Sequence, residues 1–154
     1  MEKRELLELV SEFRAAVQEC SWEGFPFQIS ITDRFPFASC DDSSMLLAAY
    51  LSDKGFPGAL RISGAHGGQK EELVSHVWLK LNGFLIDITG SQFEGYGQPE
   101  ILIAEQDKFL DTFKVEEEPE LADFRSKFEN DPRFSGYFFQ AYDAVLSRLP
   151  LRLA

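Results

Sequence analysis

Apolar residues between positions 3 and 20 fall at Leu6, Leu9, Val10, Phe13, Ala16 and Val17, spaced three and four apart, which predicts an amphipathic packing helix. Gly24 and Pro26 break the pattern, and residues 27–31 read as a short extended piece with Ile29 and Ile31 on one face. A loop through Pro36, pinned by Phe35 and Phe37, leads to Ser39. From Met45 to Leu51 the chain is apolar on every side, too uniformly for a surface helix, so residues 39–51 predict a helix through the core. Ser39 is a good N-cap, and Asp42 three residues on is spaced to close a capping box. Gly55 and Pro57 end that helix.

Ala59–Ser63 then reads as a strand, and the glycine-rich GAHGGQKEE of residues 64–72 as a mobile flap. The flap lacks the lysine followed by serine or threonine that a phosphate-binding loop needs. Val74–Leu81 and Phe84–Thr89 alternate as strands around Asn82-Gly83, the dipeptide suited to a two-residue type I′ turn. Such a loop fixes register: Leu81 faces Phe84 and Trp78 faces Asp87, which makes His76 and Asp87 diagonal neighbours with Cβ atoms about 7 Å apart. Gly90–Pro99 is a loop, Ile101–Ala104 an edge strand and Thr112–Val115 another strand. The acidic EEEPE at 116–120 reads as a solvated turn and helix start, before helices at 121–128 and 134–149. The expected fold class is α+β, a small antiparallel sheet packed against a central helix, in one domain spanning residues 1–154.

Composition agrees with a folded chain: 154 residues, 44% of them apolar, with 15 phenylalanines. Twenty-six acidic against 15 basic residues give a net charge of -11, which is repelled by phosphate backbones and anionic lipid. Nucleic acid and membrane are thus excluded as expected partners, and a basic peptide or protein surface is favoured. No stretch reaches the roughly 18 to 20 apolar residues of a membrane span, and the charged, helical start has no leader pattern, so a cytoplasmic location is expected. Cys20 and Cys40 do not make a disulfide framework, and a bridge between them would silence either thiol. Two histidines and two separated cysteines give no metal-ligand spacing, so no metal or cofactor is expected.

Cys40 falls in the first turn of the core helix, where the helix dipole and unpaired backbone N–H groups favour an ionised sulfur. Asp41 and Asp42 beside it work in the opposite direction. With His76 and Asp87 it makes a candidate constellation: a thiolate to attack a carbonyl, an imidazole to take and return the proton, and a carboxylate to hold the imidazole's tautomer. The hairpin gives the His76–Asp87 pairing, and nothing local gives the nearness of Cys40. The same three residues also have a structural reading, as a buried thiol, a satisfied strand histidine and an aspartate bonded to Thr89. Gln28 or Gln92 would add an amide donor to an oxyanion site beside the Cys40 N–H. Trp78 reads as core or pocket wall, His66 as exposed and Cys20 as an inert buried thiol.

A helix-borne cysteine, then SHVWLKL, then FLIDIT after a tight turn resembles the transglutaminase-like, papain-like cysteine peptidase superfamily, over residues 36–93. The resemblance implies a papain-like core, with Cys40 as nucleophile, His76 as general base and Asp87 as orienting acid. Gln28 precedes the nucleophile, as the oxyanion glutamine does in papain-like proteases. The implied reaction is acyl transfer from a peptide or protein amide through a Cys40 thioester, to water in a peptidase or deamidase and to an amine in a transglutaminase. Arylamine acetyltransferases use the same three residue types, so a coenzyme A thioester is an alternative acyl donor. Asp41 and Asp42 depart from the glycine or aromatic that members often carry beside the nucleophile. Together with the net charge, they favour the rival reading of a non-catalytic acidic binding, immunity or adaptor module on the same fold.

Overall fold

The computed structural model describes residues 2–25 and 29–150. The chain runs α1 (Glu2–Glu23), α2 (Cys40–Asp53), β1 (Leu60–Gly67), β2 (Leu73–Leu81), β3 (Phe84–Asp87), β4 (Leu102–Ala104), β5 (Lys114–Val115), β6 (Glu120–Leu121), α3 (Phe124–Lys127) and α4 (Pro132–Leu146). All strand pairs are antiparallel, in the order β4-β3-β2-β1-β5, with β6 also on β1. The fold class is therefore α+β. Among the described residues no helix is long and apolar enough to cross a membrane.

The uniform apolar run of the second helix has the consequence expected of it. Met45 to Leu51 are each 0–3% exposed, and α2 touches α1, β1, β2 and α3. Each fully buried leucine of this run contributes about 1.5–3 kcal/mol relative to an exposed one, so α2 is the element around which the others condense. The α1 face of Leu6, Leu9, Val10, Phe13, Ala16 and Val17 packs into the same cluster, as do Leu79, Leu81, Ile86 and Ile103 from the sheet. A second cluster combines Ile62 and Trp78 with Phe109, Leu110 and Phe113, so alternate residues of β2 serve different clusters.

The hairpin has the register set by its turn: Leu81 pairs with Phe84, Lys80 with Leu85 and Leu79 with Ile86. Asn82 and Gly83 adopt φ of 51° and 85°, the left-handed values a type I′ turn requires. β3 ends at Asp87 rather than Thr89, because the chain turns there into a 3-10 turn at Gly90–Gln92.

Several expectations are corrected. The GAHG stretch is not a flap but the end of β1, paired to β2 from Gly64–His76 through Gly67–Leu73. Its glycines admit Phe113: a Cβ on Gly64 would lie 2.6 Å from Phe113 Cβ, and one on Gly67 2.4 Å from the Phe113 ring. The acidic 116–120 segment begins no helix; Glu120 and Leu121 form β6, and α3 is limited to Phe124–Lys127. The capping box does not form. Ser39 occupies the N-cap, but its hydroxyl donates to the carbonyls of Ser30 and Phe37 at 3.1 and 3.0 Å, and Asp42 accepts the Ser30 N–H at 2.5 Å. Phe35 is buried, whereas Phe37 is 40% exposed, its ring covered by the Arg34 guanidinium at 5.8 Å. The extended piece at 27–31 lies partly outside the described residues, and Ile29 and Ser30 form a bend.

Candidate functional site

His76 is fully buried on β2 and Asp87 is 2% exposed at the end of β3. Their side chains meet, with His76 Nε2 2.8 Å from Asp87 Oδ2. A carboxylate can only accept there, so Nε2 carries a proton and Nδ1 is the nitrogen free for chemistry. Asp87 is held in turn: its Oδ1 accepts the Thr89 N–H at 3.0 Å and the Thr89 hydroxyl at 3.4 Å. Thr89 thus serves Asp87 without replacing its bond to His76. Gly90 follows so closely that a Cβ on it would lie 2.7 Å from Asp87 Oδ2.

Cys40 opens α2 and is partly exposed, a free thiol. Burial disfavours the His76 imidazolium, but the Asp87 charge and hydrogen bond, aided by Cys40, raise its pKa to about 9. Nδ1 nevertheless has no fully formed hydrogen bond. Cys40 is thus an electrostatic neighbour of the imidazole without a hydrogen bond to Nδ1. The structure joins His76 and Asp87 directly, and Cys40 is among the groups that influence the imidazole.

Aromatic rings enclose the imidazole. Phe93 meets it edge-on at 5.0 Å between centroids, with Trp78 at 5.6 Å and Phe113 at 5.7 Å. Trp78 is thus a wall of the histidine's cage and part of the second core cluster. The cage keeps bulk water from both imidazole nitrogens, which strengthens the bond to Asp87.

The two carboxylates beside Cys40 are both occupied. Arg61 of β1 donates to Asp41 from Nε and Nη2 at 2.8 and 2.9 Å, a bidentate pair, and its Nη1 lies 3.9 Å from Glu117. Asp42 sits above the usual carboxylate range, raised by burial and by Asp41 against the Ser30 N–H bond. Behind the site, Arg14 of α1 is 6% exposed, donates Nε–H to the Ile88 carbonyl at 2.8 Å and lies over the Phe35 ring at 5.0 Å. Burial lowers its pKa, while Glu100 and Asp87 support its charge.

Gln92 ends the 3-10 turn after Asp87, and its Oε1 accepts the Ala38 N–H at 3.3 Å, two residues before Cys40. Gln28 lies outside the described residues. His66 is exposed on β1, and Cys20 is 3% exposed, its thiol pushed up by burial. Among the described residues no three His, Cys, Asp or Glu side chains cluster to hold a metal ion.

Sequence reasoning missed Arg14, Arg61, Phe93, Phe113 and Gly90. For Arg14 a signal existed: it is three and four residues from Val17 and Val10 on the apolar side of α1. The others depend on pairings that local pattern does not carry. No protein family, curated protein or solved structure matches this chain.

Proposed function

We propose that the chain is a cysteine-dependent acyl-transfer enzyme with a papain-like or transglutaminase-like core, acting on an amide. The observation that carries this reading is the fully buried His76, with one ring nitrogen on Asp87 at 2.8 Å, the other without a partner, and Cys40 among the groups that raise its pKa. A histidine with only a structural role would spend both nitrogens. Protonated through neutral pH, His76 is suited to pair with a Cys40 thiolate.

In this reaction the sulfur attacks the amide carbonyl carbon, the C–N bond breaks, and the departing amine takes the proton from Nδ1. Water or an acceptor amine then attacks the thioester, gives its proton to Nδ1, and releases acid or new amide with the thiolate restored. The Asp41–Arg61 pair supports the reading, because it removes one free carboxylate that argued for a non-catalytic module.

The test is Cys40 alkylation by iodoacetamide from pH 4 to 9 in wild type and His76→Ala, with Cys20 read separately by mass spectrometry. Wild type should react on a low-pH plateau, and His76→Ala should be slower at pH 6 by roughly ten- to a hundredfold, as expected when an ion pair reverts to a thiol of pKa about 8.5. Equal, ordinary thiol behaviour in both proteins would sink the proposal and turn the search to basic binding partners.

A further inference from the structure

Ala15, Glu19 and Trp22 recur four and three apart along α1, so they share a face of the helix, and Arg14 lies beside them. With Glu100 and Ile101, just before β4, they line a pocket of about 460 Å³, a volume within the range of small-molecule sites. Ala15 and Ile101 give it apolar wall, Glu19 and Glu100 are exposed at its rim, and Trp22 is 68% exposed.

Arg14 is the unusual member of this lining. It is 6% exposed, yet only one of its three guanidinium nitrogens is hydrogen-bonded. Nε–H donates to the carbonyl of Ile88, the neighbour of Asp87, and the Phe35 ring covers one face of the group. Among the described residues neither Nη nitrogen has a hydrogen-bond acceptor: Glu100 Oε2 lies 3.6 Å from Nη1, outside hydrogen-bond reach, on a side chain 77% exposed. A guanidinium carries five N–H donors in a fixed fork, so the four on the Nη edge are unmatched. That edge is the one turned to the pocket, because Nη1 reaches towards Glu100 in the pocket wall while Nε faces Ile88.

We infer that this pocket binds a monocarboxylate with an apolar body, its two oxygens taken by the Nη1–Nη2 edge of Arg14 and its body laid against Trp22, Ala15 and Ile101. Charge selects the single carboxylate. Glu19 and Glu100 at the rim and a net charge of -11 repel a phosphate dianion or a polyanion, whereas one carboxylate on one guanidinium is matched in charge and in its two-pronged shape. Glu100 occupies the fork only loosely, as a solvated pair without a hydrogen bond, and yields to a bidentate partner. The Trp22 ring supplies a rigid apolar surface for the body. Such a carboxylate comes either as a free acid or as the C-terminus of a peptide. The inference stands independently of the acyl-transfer reading.

The experiment is calorimetric titration of the full chain at pH 7 with 3-phenylpropanoate and with its neutral counterpart 3-phenylpropanamide. Because Arg14 also holds the Ile88 carbonyl, the variants are placed on exposed residues, Glu100→Gln and Trp22→Ala. The acid should bind with a Kd of about 1 mM or below, and the amide at least about tenfold more weakly, since it loses the charge-assisted fork. Glu100→Gln removes the competing carboxylate and should tighten the acid about threefold, while Trp22→Ala should weaken it about tenfold. An amide that binds as well as the acid, an acid affinity unmoved or weakened by Glu100→Gln, or no saturable binding of the acid would overturn the inference. Acetyl-glycyl-phenylalanine with a free C-terminal carboxylate separates the two sources: binding tighter than that of 3-phenylpropanoate assigns the pocket to a peptide C-terminus, and equal or weaker binding assigns it to a free acid.

Discussion

Asp87→Asn removes the charge that sets the protonation of His76 while keeping the side chain's size. In wild type, burial favours neutral imidazole, and Asp87 outweighs that pressure more than the Cys40 thiol does, giving a pKa of about 9 against the ordinary 6.5. The difference corresponds to about 3 kcal/mol. At pH 7 the imidazolium should outnumber the neutral ring by about a hundred to one. Without the Asp87 charge, burial is the largest remaining influence, so the pKa should fall to 6.5 or below and the neutral ring should predominate by about three to one or more. The assay is NMR titration of the imidazole from pH 5 to 10 in a His66→Gln background, which leaves His76 as the only histidine. Stability should follow with the sign set by linkage: a raised histidine pKa stabilises the fold fully below pH 6.5, and that contribution disappears as pH climbs through about 9. The difference in urea midpoint between wild type and Asp87→Asn should therefore shrink across that window. A wild-type His76 titrating at or below 6.5, or one unmoved by Asp87→Asn, would refute the reasoning.

Arg61→Met should free the Asp41 carboxylate beside Cys40 and slow alkylation at pH 6 several-fold, with Asp41→Asn in the same chain restoring it; an unchanged rate in the single variant would mean that Asp41 does not act on the sulfur. Because Asp41 is 43% exposed, the pair's own contribution to stability should be about 1 kcal/mol or less, and the melting temperature should barely move. Gly90→Ala places a methyl 2.7 Å from Asp87 Oδ2, so urea unfolding should show a loss of about 1–3 kcal/mol, and the His76 titration should shift downward; a variant as stable as wild type with an unmoved titration would show that the turn yields freely.

The parts of the site legible in the sequence are those whose partners lie within one local unit. Asn82-Gly83 permits one tight turn, the turn fixes one register, and the register brings together His76 and Asp87, eleven residues apart. The core helix was legible because apolar residues on all sides leave it nowhere to lie but the interior. Glycines 64 and 67 were misread because local composition cannot distinguish a glycine that permits motion from one that admits a neighbour, and the neighbour, Phe113, lies more than forty residues away. Ser39 and Asp42 had capping-box spacing, yet a box is only one use for two oxygens, and Ser30 supplied closer partners for both. Asp41 illustrates the consequence for function. Taken alone it is a charge that opposes an ionised Cys40; opposite Arg61, which reaches it only because β1 packs on α2, it is half of a bidentate pair. A charge beside a thiol therefore acquires its sign of effect from tertiary structure, and Asp41, paired with Arg61, no longer argues by itself for a non-catalytic module.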